Sequence, residues 1–384
     1  MAIFGKPDLM LRYPEVSDLR KVARKRIPHI AWEYLECGTG NERAVARNME
    51  AFEAITLRPR FLKGEFTPDT QTTLFDETYA APFGVAPIGL GGLVWPQAEQ
   101  ILATCAEKQS IPYCLSTVAA DIPEAIGPIA GKMGWFQLYS PRDTGVLDDL
   151  LQRVKESGFK TLVVTVDIPA HSGRERLRRA GFTMPPRITP RFLLQGARHW
   201  AWSRGVLQYG MPRLRTFEKY ANTTDMAKLA QFSRNQIGGT LSWDYLKMVR
   251  DKWEGPLIVK GVLHPDDAEL ALGVGVDGIQ VSNHGGRQFN GAPAAIEALP
   301  DIVARVKGRA AILLDSGVRT GLDVMRALAL GADFVLLGRA WFYGVVALGE
   351  PGADHVYQII LADLKTNMSQ MGLKTIPEVK QTNS

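Results

Sequence analysis

His284 and Arg287 stand three residues apart in the heptapeptide Ser282-Asn283-His284-Gly285-Gly286-Arg287-Gln288, directly after the apolar run Gly278-Ile279-Gln280-Val281. A histidine exchanges a proton near neutral pH, and an arginine can fork onto a carboxylate. The heptapeptide therefore presents a base and an anion clamp together, at the C-terminal mouth of a short buried strand. Taken alone, the same residues read as a polar loop with a surface histidine. The other strand ends of the chain change that reading.

Short apolar runs separated by helix-length segments begin at residue 82, the pattern of a parallel sheet with crossover helices. The runs are Pro82–Ile88, Ile111–Ser116, Gly134–Tyr139, Thr161–Asp167, Pro256–Gly261, Gly278–Ser282, Ala311–Asp315 and Phe334–Gly338. They alternate with Trp95–Gln109, Asp143–Ser157, Pro265–Leu272, Pro293–Val306 and Gly321–Leu330. This predicts a closed TIM (β/α)8 barrel, which needs about 250 residues. Residues 82–349 supply them once a long insertion, roughly 177–242, is allowed after the fourth strand. Residues 14–54 read as a helical preamble, and the chain from 1 to 384 as one barrel domain.

Catalytic groups of such barrels collect at strand C-termini. Polar residues do so here: Ser116, Gln137 with Tyr139, Thr165 with Asp167, Lys260, Ser282 with His284, Asp315, and Gly338-Arg339. The loops after strands seven and eight, Asp315-Ser316-Gly317-Val318-Arg319 and Leu337-Gly338-Arg339, combine glycines that admit close approach with two arginines. They read as a phosphate site. No Gly-x-Gly-x-x-Gly fingerprint follows an early strand, which disfavours NAD on a dinucleotide fold.

The 384 residues are 46% hydrophobic and 22% charged, sufficient for a large core. The net charge of +5 admits an anionic substrate, a phosphate-bearing cofactor or an anionic surface as partner. Cys37, Cys105 and Cys114 lack metal-ligand spacing, so reduced thiols in a cytoplasmic compartment are expected and no metal site or nucleic-acid partner is indicated. Met1 to Arg12 has no apolar core of signal-peptide length, and no run approaches the ~18 apolar residues of a spanning helix.

Ser282–Gln288, together with Leu257-Ile258-Val259-Lys260-Gly261, Trp135-Phe136-Gln137-Leu138-Tyr139, Thr165-Val166-Asp167 and Asp315–Arg319, resembles the FMN-dependent (S)-2-hydroxy acid oxidase and dehydrogenase family. The similarity runs from Trp32-Glu33-Tyr34 to the last helix near Asp354–Gly372, and only the insertion resists alignment. The resemblance implies FMN as cofactor and oxidation of a 2-hydroxy acid to a 2-oxo acid. It makes His284 the base, for either the α-hydrogen or the hydroxyl proton, and Asp167 the carboxylate that steadies its imidazolium. Arg287 and Arg174 would grip the substrate carboxylate, with Tyr34 and Tyr139 hydrogen-bonding the substrate. Lys260 would stabilise negative charge on the reduced flavin. Ser116, Gln137, Thr165 and Ser282 would contact the flavin, as would the backbone of Pro87, Ile88 and Gly89. Asp315, Ser316, Gly317, Arg319, Gly338 and Arg339 would take the ribityl chain and phosphate.

Ser316, where many of the oxidases carry glycine, and Gly89 after Ile88 lean toward the lactate and mandelate dehydrogenases of the family. Val118 is small, which favours a bulky hydroxy acid, and His171 is placed to line the entrance. Electrons would pass to a membrane quinone or a cytochrome; a soluble oxidase using dioxygen is the alternative. An FMN-dependent isoprenoid diphosphate isomerase is the alternative of another class, but it has no substrate carboxylate for Arg287 to clamp. A homotetramer is what the family would imply. Finally, residues 187–215 hold six arginines and no acidic residue, interleaved with Phe192, Leu193, Leu194, Trp200, Trp202, Val206, Leu207 and Tyr209. That composition suits a segment lying in a membrane interface; the alternative is an active-site lid whose arginines attract anions.

Overall fold

A computed structural model describes residues 8–237 and 241–383. Residues 1–7 of the N-terminal stretch and 238–240 of the expected insertion lie outside the described residues.

Eight parallel strands close into a barrel. They are β1 (Phe83–Val85), β2 (Tyr113–Ser116), β3 (Gly134–Leu138), β4 (Thr161–Thr165), β5 (Leu257–Val262), β6 (Gly278–Val281), β7 (Ala311–Leu314) and β8 (Phe334–Leu337). Each neighbour pairs with the next, and β8 returns to β1 through Val335 opposite Phe83 and Leu337 opposite Val85. All eight expected strands are present, shorter than the apolar runs because several run residues turn into the loops above the barrel.

Side chains on a strand alternate between faces, and this alternation builds the site. Leu115, Phe136, Leu138, Leu162, Val164, Val259, Ile279 and Val335 belong to the main core shared with the helices. Cys114, Trp135, Val163, Ile258, Leu313 and Leu336 form a second apolar cluster with Leu74 and Tyr79. Leu74 and Tyr79 come from the short antiparallel pair Thr72–Leu74 and Glu77–Tyr79. Two residues beyond each of the six barrel-strand members of this cluster stand Ser116, Gln137, Thr165, Lys260, Asp315 and Gly338. The barrel interior is thus apolar in its lower layer and polar at the C-terminal mouth.

The preamble forms the helices Val16–Arg26, His29–Glu36 and Arg43–Glu53. His29–Glu36 carries Tyr34, and the turn after it meets the His284 loop, where Thr39 N–H donates to the Gly286 carbonyl at 3.2 Å. Between β4 and β5 the chain makes short helices, among them Glu175–Arg179, Pro190–Arg198, Trp200–Tyr209 and Met226–Gln236.

The residues grouped by composition in 187–215 separate in space. Trp202 is buried and its indole N–H donates to the Leu93 carbonyl at 3.0 Å, so it anchors the segment to the barrel. Arg213 pairs with Glu218 and Arg215 with Asp121, both at 2.8 Å. Ile188, Leu193, Leu194, Trp200, Leu207 and Tyr209 are exposed. Trp200, Arg204 and Leu207 fall on one helix face at i, i+4 and i+7. Among the described residues no helix is long and apolar enough to cross a membrane.

Candidate active site

At the C-terminal mouth lies a cavity of about 690 Å³. Its wall includes Tyr34, Pro87, Ile88, Gly89, Gln137, Tyr139, Thr165, Arg174, Lys260, His284 and Arg287. Asp315, Ser316, Gly317, Arg319, Gly338 and Arg339 also line it. Ser116, Ser282 and Asp167 are set back from this wall, and each acts on a residue that does line it.

His284 Nδ1 lies 2.9 Å from Asp167 Oδ1, and Nε2 lies 3.3 Å from the Tyr139 hydroxyl. Burial pushes the Asp167 carboxyl up, but His284, Lys260 and its own backbone amide together outweigh this and hold it below the usual carboxylate range. An ionised carboxylate only accepts, so Nδ1 carries the hydrogen and Nε2 keeps its lone pair, within reach of the Tyr139 hydroxyl. Burial also pushes the imidazole down, against the pull of Asp167. His284 is therefore neutral at neutral pH and is not a surface histidine.

The loop that presents His284 is held in a conformation few side chains adopt, with φ +57° at His284, a strain of ~1–3 kcal/mol that the surroundings must over-determine. His284 N–H donates to Ser282 Oγ (3.0 Å) and Gly285 N–H to Ser316 Oγ (2.9 Å). Asn283 accepts from Gly286 N–H at 3.1 Å and exchanges side-chain hydrogen bonds with Asn48. Ser316 also donates to Asp315 Oδ1 at 2.8 Å. The serine at that position thereby ties the seventh-strand loop to the His284 loop.

Four arginines in the wall, 174, 287, 319 and 339, have no carboxylate within ion-pair distance among the described residues. Arg287 donates to the Tyr34 and Leu35 carbonyls at 2.9 and 3.2 Å and lies over the Tyr34 ring at 5.5 Å. Burial, then the charges of Arg174 and Arg339, push the Arg287 guanidinium down. A guanidinium does not surrender its proton readily, so this like-charge field favours an anion in the cavity. Arg339 donates to the Leu35 and Gly285 carbonyls at 3.0 and 3.1 Å. Arg319 lies over the Tyr343 ring at 6.0 Å. The Tyr34 hydroxyl donates to the Gly89 carbonyl at 2.9 Å.

Lys260 is buried with Nζ 2.8 Å from Ser282 Oγ and 3.0 Å from Asp315 Oδ2. Burial pushes its ammonium down, but Asp315 and Asp167 outweigh that and raise it, so the lysine stays charged. Gln280 donates to Asp315 at 2.7 Å, which leaves both Asp315 oxygens engaged within the protein.

Two residues given no role by the sequence reading are needed here. A Cβ on Gly261, whose φ is +109°, would stand 2.6 Å from Asp167 Cβ, so only glycine leaves room for the carboxylate behind His284. Asn283 is the second. The signal available for Gly261 is the glycine itself, directly after Lys260. His171 lies exposed at the cavity mouth, as expected of an entrance residue. Gly89 abuts Val118, and a Cβ there would meet Val118 Cγ2 at 2.5 Å.

Residues 23–384 match the family described as FMN-dependent dehydrogenase. The chain belongs to that family. It is 40% identical over 367 residues to an L-lactate dehydrogenase of Pseudomonas aeruginosa (strain LESB58), covering 94% of this chain and 96% of that protein. An L-lactate dehydrogenase of Acinetobacter baylyi is 38% identical over 370 residues, covering 95% and 96%. The solved structure of a monotopic membrane protein, (S)-mandelate dehydrogenase, superposes with a TM-score of 0.91 at 34% identity, covering 94% and 96% of the two chains. A mandelate oxidase structure gives 0.83 at 30% identity, covering 96% and 97%.

The cofactor of the FMN-dependent dehydrogenases fits the cavity of this chain. Gln137 Nε2 and Thr165 Oγ1 are buried in its wall without a hydrogen-bond partner among the described residues, a costly condition that the polar edge of a flavin would relieve. Ser116 donates to Gln137 Oε1 at 2.7 Å and so fixes the amide with its N–H groups toward the cavity. At the other end Gly317 (φ +100°) passes close to Asn48, where a Cβ would stand 2.3 Å from a carbonyl oxygen, and Arg319 supplies charge for a phosphate.

Proposed function

We propose that this chain binds FMN in the cavity and oxidises an (S)-2-hydroxy acid to the 2-oxo acid. The observation that carries the reading is a neutral, carboxylate-oriented histidine in one cavity wall with two arginines, 174 and 287, that have no carboxylate within ion-pair distance among the described residues. When bound, FMN supplies the two-electron acceptor. The substrate carboxylate lies between Arg287 and Arg174, where it relieves the like-charge field, and the Tyr34 and Tyr139 hydroxyls orient the substrate. His284 Nε2 takes a proton from it, and Asp167 stabilises the resulting imidazolium. Lys260, held charged by Asp315, counters negative charge developing at the cofactor. Gln137 and Thr165 orient the ring, and Gly317, Arg319, Gly338 and Arg339 form the phosphate end.

The purified protein, given L-lactate, glycolate or (S)-mandelate with a dye acceptor, is expected to form the matching 2-oxo acid. No 2-oxo acid from a broad 2-hydroxy acid panel sinks the reading.

We further propose that the electrons leave to a quinone in a membrane on which the protein docks from one side. The exposed Leu193, Leu194, Trp200 and Leu207 support this, with Arg198 and Arg204 on the outer faces of the same two helices. Trp202, Arg213 and Arg215 take no part, since they are engaged within the protein. The protein should therefore partition with anionic vesicles, less so as salt screens the arginines. Replacing Leu193, Leu194, Trp200 and Leu207 by serine should release it while flavin binding persists. A folded protein that ignores anionic vesicles at low salt refutes the docking, and peroxide formation in air then becomes the expected fate of the electrons. A fourfold assembly, suggested by the family alone, would be read by light scattering.

A further inference from the structure

Arg174 reaches the cavity from an unusual support. It has φ +42° and stands as the N-cap of the five-residue helix Glu175–Arg179, with no side-chain hydrogen bond closing that cap. Its own side chain makes one long hydrogen bond, to Ser172 at 3.3 Å. A helix this short does not hold itself in water. The segment therefore depends on its ties to the rest of the protein.

Those ties converge on the preamble. Arg176 forms ion pairs with Glu33 and with Glu42, the latter at 2.7 Å. Glu175 accepts from Gly40 N–H at 2.7 Å, and Leu177 is buried beneath. Glu33 is itself buried and immediately precedes Tyr34, whose carbonyl accepts from Arg287. Glu42 Oε1 also accepts from Gly38 N–H at 2.8 Å, which fixes the turn that meets Gly286. The three charges thus join the segment bearing one arginine of the anion site to the helix end bearing the other.

We propose that Arg176 is a positioning residue: its pairs with Glu33 and Glu42 latch segment 172–179 over the substrate site and hold Arg174 toward Arg287. The inference rests on the hydroxy acid reading for what Arg174 grips. While the latch is closed, the two carboxylates neutralise Arg176 and leave the charges of Arg174 and Arg287 for the substrate. When it opens, Arg174 withdraws with its helix and the substrate loses one of two grips.

Arg176→Ala should raise KM for the hydroxy acid about ten-fold, the size of one charge-assisted contact, while kcat changes by less than about two-fold. Because Arg176 acts through Arg174, adding Arg176→Ala to Arg174→Ala should raise KM by less than about two-fold more. Independently of any turnover, Arg176→Ala should be cut by trypsin after Arg178 and Arg179, both exposed at the end of the segment, about ten-fold faster than the natural protein as local opening becomes more frequent. Additive effects on KM, or an unchanged cleavage rate, overturn the latch. If Arg176→Ala does not fold, Glu42→Gln, which leaves Glu33 in place, must produce a smaller rise in KM and faster cleavage, or the latch is refuted. A protein that turns over no hydroxy acid removes the proposed function, and the trypsin comparison still decides whether the latch exists.

Discussion

Replacing His284 by alanine is expected to cut turnover by ~10²–10⁴-fold while FMN stays bound. The loss follows from removing the oriented basic nitrogen Nε2, whose lone pair is guaranteed by the Nδ1 contact to Asp167 at 2.9 Å. FMN should stay because the residues that fit it, Gln137, Thr165, Arg319 and the Gly317 backbone, lie apart from His284. The pH profile carries the same information. Burial lowers the His284 pKa below its ordinary 6.5, and the neutral imidazole is the active form. Activity expressed as kcat/KM should therefore rise with pH through a value below 6.5 and be flat above it, and the alanine variant should lack that limb. A wild-type acid limb centred above 6.5 would show that the environment raises His284, contrary to the geometry.

Arg287→Lys is expected to lower kcat/KM by ~10²–10³-fold, through KM and kcat together. Lysine keeps the charge but loses the planar fork. That fork already spends one edge on the Tyr34 and Leu35 carbonyls, which leaves the remaining N–H groups aimed by rigid geometry. An ammonium on a flexible stem would meet the carboxylate as a point charge and would release the C-terminal end of helix His29–Glu36 from its place. The helix also carries Tyr34, so substrate orientation should suffer with affinity. An unchanged KM would argue that the carboxylate sits elsewhere.

The barrel was legible because eight buried runs alternate with helix-length segments, and the polar mouth was legible because Gln137, Thr165, Lys260 and Asp315 each stand two residues beyond an interior apolar side chain. Period-two alternation turns that spacing into a shared face. The pairing of Asp167 with His284 was available only through family resemblance, since 117 residues separate them and nothing local links the two loops. Ser116 and Ser282 were correctly seen at strand ends, yet they orient Gln137, Lys260 and the His284 amide from behind the wall, a distinction that depends on rotamers. Gly261 was visible as a glycine but not as the space for Asp167. In 187–215 composition marked an arginine- and aromatic-rich segment without revealing its faces. Trp202 points inward because its indole N–H finds the Leu93 carbonyl, whereas Trp200, two residues earlier, points out. The latch of Arg176 on Glu33 and Glu42 also joins residues more than a hundred positions apart, beyond the reach of any local pattern.

The most direct test is to mix the flavin-loaded protein with L-lactate, glycolate and (S)-mandelate in the absence of oxygen and follow the yellow flavin band. Bleaching by at least one of them, at a rate lowered ~10²–10⁴-fold by His284→Ala in protein that retains its flavin, is the predicted result. A band that no 2-hydroxy acid bleaches, or one that His284→Ala bleaches as fast as the natural protein, contradicts the account.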